Sequence, residues 1–468
     1  MDAMDRGRRE GWMIAGLIAA SGLILFFNLW ARSLENHDYL RYAEVAREMI
    51  RSGDWIVPRY NGEVYLDKPP LLLWLIALPS YFYGSVTPFI ARLPSVLAAW
   101  IGVLVLFFWG RRMYGNTRAG ILSAGILLSC YQYFTQARSA KTDVLLCLFV
   151  LLSLYFFYLG YEAPRKRRIL FFSSSFFFMG LGVLTKGPFG FLIPFPILAL
   201  FLVKEKRTRL LLSGEFLLGY LVLLLVALPW PLLFVRRFGL QESIALLRET
   251  HPLSRQAPFY FYFIEIWGQF APWSFLLPLL GFYLWSERSQ VWQSGESLCL
   301  LWFVLLFLLL TVFEYRASRY LLPALPPLAL MLGGRWKKRL SYFVLIFLAM
   351  ILIWQVREFT WMRKDASHSP GRLLAAEVRP EIKESVLHCC QLDISTLEEL
   401  NFYFDPAAPL PVFKQIESLA AHLAREGKGW VLMPKKVYET LSLQDFQPFA
   451  FVKEIPYKKE RLILVQTR

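Results

Sequence analysis

About eleven apolar runs recur along this chain, each close to the roughly 17–25 residues that a helix needs to cross a bilayer's hydrocarbon core. They lie near 12–31, 89–109, 118–134, 143–161, 169–185, 188–203, 210–234, 262–285, 296–313, 320–334 and 340–356. No soluble fold accommodates so many, since hydrophobic residues reach 56% and charged residues only 18%. A soluble domain carries about 25% charged residues. The expected fold class is therefore an all-α polytopic membrane protein with about eleven transmembrane helices. The first run is read as an uncleaved helix, because no small-residue cleavage site follows it.

The net charge of +16 raises nucleic acid as a partner, and its distribution argues against one. The basic clusters sit between apolar runs: Arg6 with Arg8 and Arg9, Arg111–Arg112 with Arg118, Arg165–Arg168, Lys204–Arg209, and Arg335–Arg339. Crossing the bilayer at each run puts all of them on one side, the pattern of cytoplasmic loops. The N-terminus is then cytoplasmic. The opposite, outer side collects residues 32–88, the stretch around Arg138–Asp143, Thr185–Pro188, residues 235–261, Glu314–Arg319 and the polar tail from about 360 to 468. The expected division is 1–360 for the membrane domain and 361–468 for a small C-terminal soluble α/β domain on the outer face. Membrane lipids are the expected surroundings, in an inner or cell membrane. The five cysteines form no disulfide-scaffold or zinc-ligand spacing; the adjacent Cys389–Cys390 pair is read as reduced thiols in preference to a vicinal disulfide.

The outer segments hold nearly all the unusual polar residues. In NHDYLRYAEVAREMIRSGDW, Tyr39, Tyr42, Ala46 and Met49 recur at helical spacing, while Arg41, Glu44, Arg47, Glu48 and Arg51 fill most other positions. This predicts an amphipathic juxtamembrane helix lying in the interface plane. Asp38 stands at its start, where the helix dipole favours a carboxylate; it is either a helix cap or a reactive group. In IVPRYNGEVYLD, two strand-like runs flank Asn61-Gly62, a strong hairpin signal. The hairpin delivers Asp67 and Lys68 to the mouth of a helix opened by Pro69 and Pro70. Asp143 at the head of its run is either a reactive group or an N-cap. Lys186, followed by Gly187 and Pro188, marks a tight break between helices.

At these residues the chain resembles bacterial GT-C glycosyltransferases, within the protein O-mannosyltransferase-like group that includes the lipid A aminoarabinose transferase. The string DYLRYAEVAREMIRSGDWIVPRYNGEVYLDKPPLLLW is similar to that group's first periplasmic loop. QARSAKTDVLL, GVLTKGPFGFLIP, FAPWSFLLP and RYLLPALPPLALMLG continue the likeness across about residues 35–335. The resemblance implies a monosaccharide on a polyprenyl-phosphate donor, transferred with inversion to an acceptor hydroxyl on the periplasmic face. It implies Asp38 as the base, assisted by Asp143. Lys68 is implied as a phosphate ligand, joined by Lys186, Arg255 and Tyr320. Asp67, Arg41, His251 and Arg319 are implied in support. Tyr39 stands where the family often has a second acid, which leaves a divalent metal open and no cofactor certain. The acceptor is a lipid or a protein, and eleven spans are fewer than the aminoarabinose transferase implies. A transporter or flippase of lipid-linked sugars is the rival; it should place charge near the bilayer middle between repeats, and no internal repeat is visible here. A polysaccharide polymerase or ligase shares the lipid-linked substrate without needing the D…DKPP arrangement.

Overall fold

The computed structural model describes residues 2–467 except 32, 35–36, 250–256, 294, 314, 337–339, 369, 383–384, 405–409, 427–428, 443–448 and 459. Each of the eleven runs is helical over most of its length. By length and composition, four helices can cross a membrane unbroken: Pro88–Tyr114, Thr142–Glu162, Arg165–Lys186 and Ser341–Thr360. A fifth span follows if Gly214–Ala227 and Pro229–Phe238, bent by 43°, are taken together. The remaining runs form shorter or broken helices, so the expected count of about eleven full spans does not follow from these lengths. Proline is one cause. Run 188–203 breaks before Pro194, and run 262–285 is divided around Pro272. Run 320–334 opens as a 3-10 turn through Pro323. Each proline removes a backbone donor and crowds the preceding turn.

One large core packs these helices together, including Trp109, Trp273 and Trp302. Trp109 stacks on Trp302 with ring centroids 6.0 Å apart. At the end of the bundle away from the 32–88 loop, Glu296 is buried and accepts from Tyr114 Oη at 2.6 Å and Arg335 Nε at 2.8 Å. Three elements meet there around one carboxylate.

The hairpin in the 32–88 loop forms as its sequence predicts. Arg59–Tyr60 pairs antiparallel with Glu63–Val64. Asn61 and Gly62 both take positive φ, 53° and 82°, which is what a two-residue type I′ turn demands. Val57 and Leu66 then bury against Phe234 and Trp230 of the Pro229–Phe238 helix. The Trp230 indole donates to Ile56 O at 2.8 Å.

The C-terminal region holds a five-stranded mixed sheet in the order Val412–Phe413, Leu387–Cys390, Trp430–Pro434, Glu460–Thr467, Phe449–Tyr457. The first three strands run parallel and the last two are antiparallel additions. Helices accompany the sheet, and each face has its own apolar cluster, around Leu432 and Leu464 on one side and Val431 and Val465 on the other. Cys389 and Cys390 are both free. Asp405-Pro406 and Gly427-Lys428-Gly429 read as turns by residue type, and all but Gly429 lie outside the described residues.

The helix His37–Ser52 forms where its periodicity predicts it, and its polar positions are not left to solvent. Its apolar stripe is buried, and so are Glu44, Arg47 and Glu48 on its polar face. The helix Ile394–Phe404 of the C-terminal region covers that polar face and accepts from Arg47 through two carbonyls, while Glu44 pairs with Arg47 and Glu48 accepts from the hairpin amides.

Candidate active site

The first acid stands where a helix begins. Asp38 lies in the first turn of His37–Ser52, where free backbone donors and the dipole favour a carboxylate. Its Oδ2 is 3.4 Å from Lys141 Nζ, and the aspartate remains partly exposed at 39% while the lysine is 11% exposed. Lys141 is held tightly. Its carbonyl accepts from the buried Ser95 hydroxyl at 3.0 Å, and its ammonium sits 5.2 Å from the Tyr39 ring centroid.

Two residues beyond Lys141, the second acid opens the helix Thr142–Glu162. Asp143 is buried, and Lys186 Nζ donates to its Oδ1 at 2.5 Å. Arg319 Nε lies 3.6 Å from its Oδ2. A buried carboxylate is tolerated only when paired and hydrogen-bonded, and here two cations from separate elements meet it. Lys186 ends the helix Arg165–Lys186, and the chain turns at once through Gly187, with φ 66° and ψ −147°. That backbone region is essentially restricted to glycine, which accounts for the tight break at TKGP. The ammonium also sits 4.3 Å from the Tyr320 ring centroid. Asp143, Lys186, Arg319 and Tyr320 thus form one cluster drawn from three separate stretches of sequence.

Lys68 belongs to a second group. Its Nζ donates to Asp67 Oδ1 at 2.7 Å and to Asp67 O at 2.8 Å. Tyr65 Oη donates to Asp67 Oδ2 at 3.3 Å. Burial first, and then the Asp67 carboxylate, push the Tyr65 phenol well above its ordinary pKa, so it remains a donor. Burial first, and then the neighbouring Tyr65, Asp38, Asp67 and Asp143, push the Tyr42 phenol up in the same way.

Arg41 points elsewhere than the Asp143 cluster. Its Nε is 3.5 Å from Glu398 Oε1 of the C-terminal region, and its guanidinium lies 5.7 Å from the Tyr60 ring centroid. His251 and Arg255 lie outside the described residues. Sequence reasoning missed Lys141, Tyr42 and Tyr65. Lys141 was legible, since a lysine two residues before an aspartate at a helix head sits at the same mouth. Tyr42 and Tyr65 read as ordinary stripe and strand residues. Among the described residues, no group of three or more His, Cys, Asp and Glu side chains is placed to hold a metal.

Comparison with known proteins bears on the fold that carries these residues. The Dolichyl-phosphate-mannose-protein mannosyltransferase family matches residues 67–232. The structure of ArnT from Cupriavidus metallidurans bound to undecaprenyl phosphate superposes with a TM-score of 0.77, covering 97% of this chain and 98% of that one at 19% identity. The chain has the ArnT-like GT-C fold. The resemblance drawn from the first loop and its downstream motifs is borne out. An undecaprenyl phosphate-alpha-4-amino-4-deoxy-L-arabinose arabinosyl transferase of Pseudomonas paraeruginosa is 30% identical over 341 residues, 71% of this chain and 61% of its own. One of two such transferases of Pseudomonas fluorescens is 29% identical over 339 residues, 70% of this chain and 60% of its own. The ArnT-like chain thus spans about three-fifths of the length of these curated relatives.

Proposed function

We propose that this ArnT-like chain is a membrane glycosyltransferase that moves a monosaccharide from a polyprenyl-phosphate donor to an acceptor hydroxyl. The observation that carries the reading is the gathering of two aspartates and their lysine and arginine partners where the 32–88 loop meets the bundle, in a fold shared with a structure bound to undecaprenyl phosphate.

In this reading the Asp38 carboxylate takes the acceptor hydroxyl's proton. The acceptor oxygen attacks the anomeric carbon from the face opposite the phosphate, so configuration inverts. The anomeric carbon–oxygen bond breaks, and its electron pair stays on the phosphate. Lys68, Lys186 and Arg319 hold that charge; a lysine acts as a point charge and an arginine offers a fork. Asp143 is already engaged by Lys186 and Arg319, so its proposed task is to set those cations and not to take a proton. Tyr320 backs Lys186. Lys141 holds Asp38 in place. Arg255 and His251 keep the donor-side roles that the resemblance implies, and the steps proposed here use no metal.

The site lies on the periplasmic face of an inner membrane, with the N-terminus cytoplasmic, residues 1–360 carrying the chemistry and 361–468 forming a periplasmic domain. A cysteine placed at Lys206 is expected to resist an impermeant reagent in intact cells, while one placed at the exposed Asn61 reacts. Equal labelling of both overturns this orientation.

The acceptor, a lipid or a protein, is found by mass spectrometry of envelope lipids and proteins from cells with and without the gene. Cells carrying the chain should show a glycosyl mass that is absent without it. A flippase of lipid-linked sugars instead moves the donor across the bilayer without consuming it, so purified protein that never releases polyprenyl phosphate would favour that rival.

A further inference from the structure

The polar face of the Asp38 helix is bound by the C-terminal region, and the contacts converge on one arginine. Arg47 is nearly buried and donates from Nη1 to Asn401 O and from Nη2 to Phe402 O, both at 3.1 Å. Those carbonyls belong to the last turn of Ile394–Phe404, where helix carbonyls have no partner within the helix and the dipole favours a cation. The guanidinium also donates to Glu44 at 2.8 Å and lies 4.9 Å from the Phe402 ring centroid. Arg47 therefore closes the C-terminus of a helix that lies more than three hundred residues away in sequence.

The same helix reaches the hairpin. Asn401 Nδ2 donates to Asn61 Oδ1 at 3.1 Å. From the other side, Glu48 accepts the Asn61 amide at 2.5 Å and the Gly62 amide at 3.1 Å. Leu34, just before the Asp38 helix, donates its amide to Tyr403 Oη at 2.8 Å. One helix of the C-terminal region thus touches the lead-in to Asp38, the helix that carries Asp38, and the turn of the hairpin that delivers Lys68. None of its residues lies in the Asp143 cluster.

We infer that the C-terminal region is a clamp on the Asp38 segment, with Arg47 as a positioning residue for the transfer. The clamp rests on the transfer reading only for what it positions. Its physical basis is that Asp38 and Lys68 sit on one loop segment, which packs on the bundle through its apolar side and is held by the C-terminal region on its polar side. Small displacements of reacting groups are costly even when the change lies far from the chemistry.

The test uses the full-length protein in nanodiscs, as Arg47→Met, Arg47→Lys and Asn401→Ala. Turnover per folded molecule and backbone amide exchange are read on the same samples. Arg47→Met is expected to lower kcat about 10- to 100-fold. Exchange protection should fall across residues 38–64, while Pro88–Tyr114 and Thr142–Glu162 keep theirs. Arg47→Lys retains the charge but not the two-carbonyl fork, so it should recover part of both readouts. Asn401→Ala should loosen the hairpin more than the helix, and with Arg47→Lys it carries the test if Arg47→Met does not fold. Unchanged protection overturns the clamp. Lost protection with kcat within about twofold of wild type, well short of the expected loss, overturns the positioning role. If wild-type protein moves no sugar from any polyprenyl-phosphate donor, the transfer reading fails, and the clamp stands or falls on exchange alone.

Discussion

Asp38→Asn is expected to lower kcat by about 10²- to 10⁴-fold, the usual contribution of a positioned general base. The substitution is nearly isosteric. It leaves an amide oxygen facing Lys141 and an N-terminal helix residue of a type that helix starts accept. What disappears is the ability to take a proton. The helix does not depend on Asp38, because its apolar stripe is buried and its polar face is held through Arg47 to the C-terminal region and through Glu48 to the hairpin. Melting temperature and insertion should therefore match wild type. Folded Asp38→Asn protein that turns over within about tenfold of wild type, short of a base's contribution, would remove Asp38 from the mechanism.

Lys68→Ala is expected to act on donor binding. A hydrogen bond to a charged group is worth about 1.5–3 kcal/mol, which corresponds to roughly 10- to 150-fold in affinity. Lys68 is partly exposed and already engaged by Asp67, so the lower end of that range is expected. In the proposed mechanism the ammonium is expected to exchange the Asp67 carboxylate for phosphate on donor binding, with Tyr65 left as the donor that keeps that carboxylate hydrogen-bonded. Binding of undecaprenyl phosphate itself, without a sugar, isolates the effect. An unchanged dissociation constant assigns Lys68 to the hairpin mouth alone.

Much of the local architecture was legible because it is set by short-range physics. Asn61-Gly62 is a turn that asks for two positive φ values, and those two residues supply them. Gly187 was readable for the same reason. The expected α/β character of the tail agrees with the strands in WVLMP and RLILVQT and the helix in SLAAHLARE, each a short local stretch. Span lengths were less legible: run 188–203 is apolar throughout, yet the helix is interrupted before Pro194. Hydropathy measures transfer from water, not helix continuity.

The pairings were not legible. Asp143, Lys186 and Arg319 each stood at the end of an apolar run, and nothing local says that the three ends meet. Only bundle packing puts Lys186 at 2.5 Å and Arg319 at 3.6 Å from one buried carboxylate. The burial of Glu44, Arg47 and Glu48 was equally hidden, since their partner helix begins at Ile394.

The membrane class, the hairpin arm and the position of Asp38 at a helix start follow from residue type, spacing and period, while the kinship with GT-C transferases rests on the resemblance of an ordered set of motifs. The tertiary structure decided that Asp143 is held between two cations, that Lys141 faces Asp38, and that the C-terminal region binds the segment carrying both Asp38 and Lys68. Those facts depend on which distant groups share one small volume, and a buried charge is tolerated only where such partners converge.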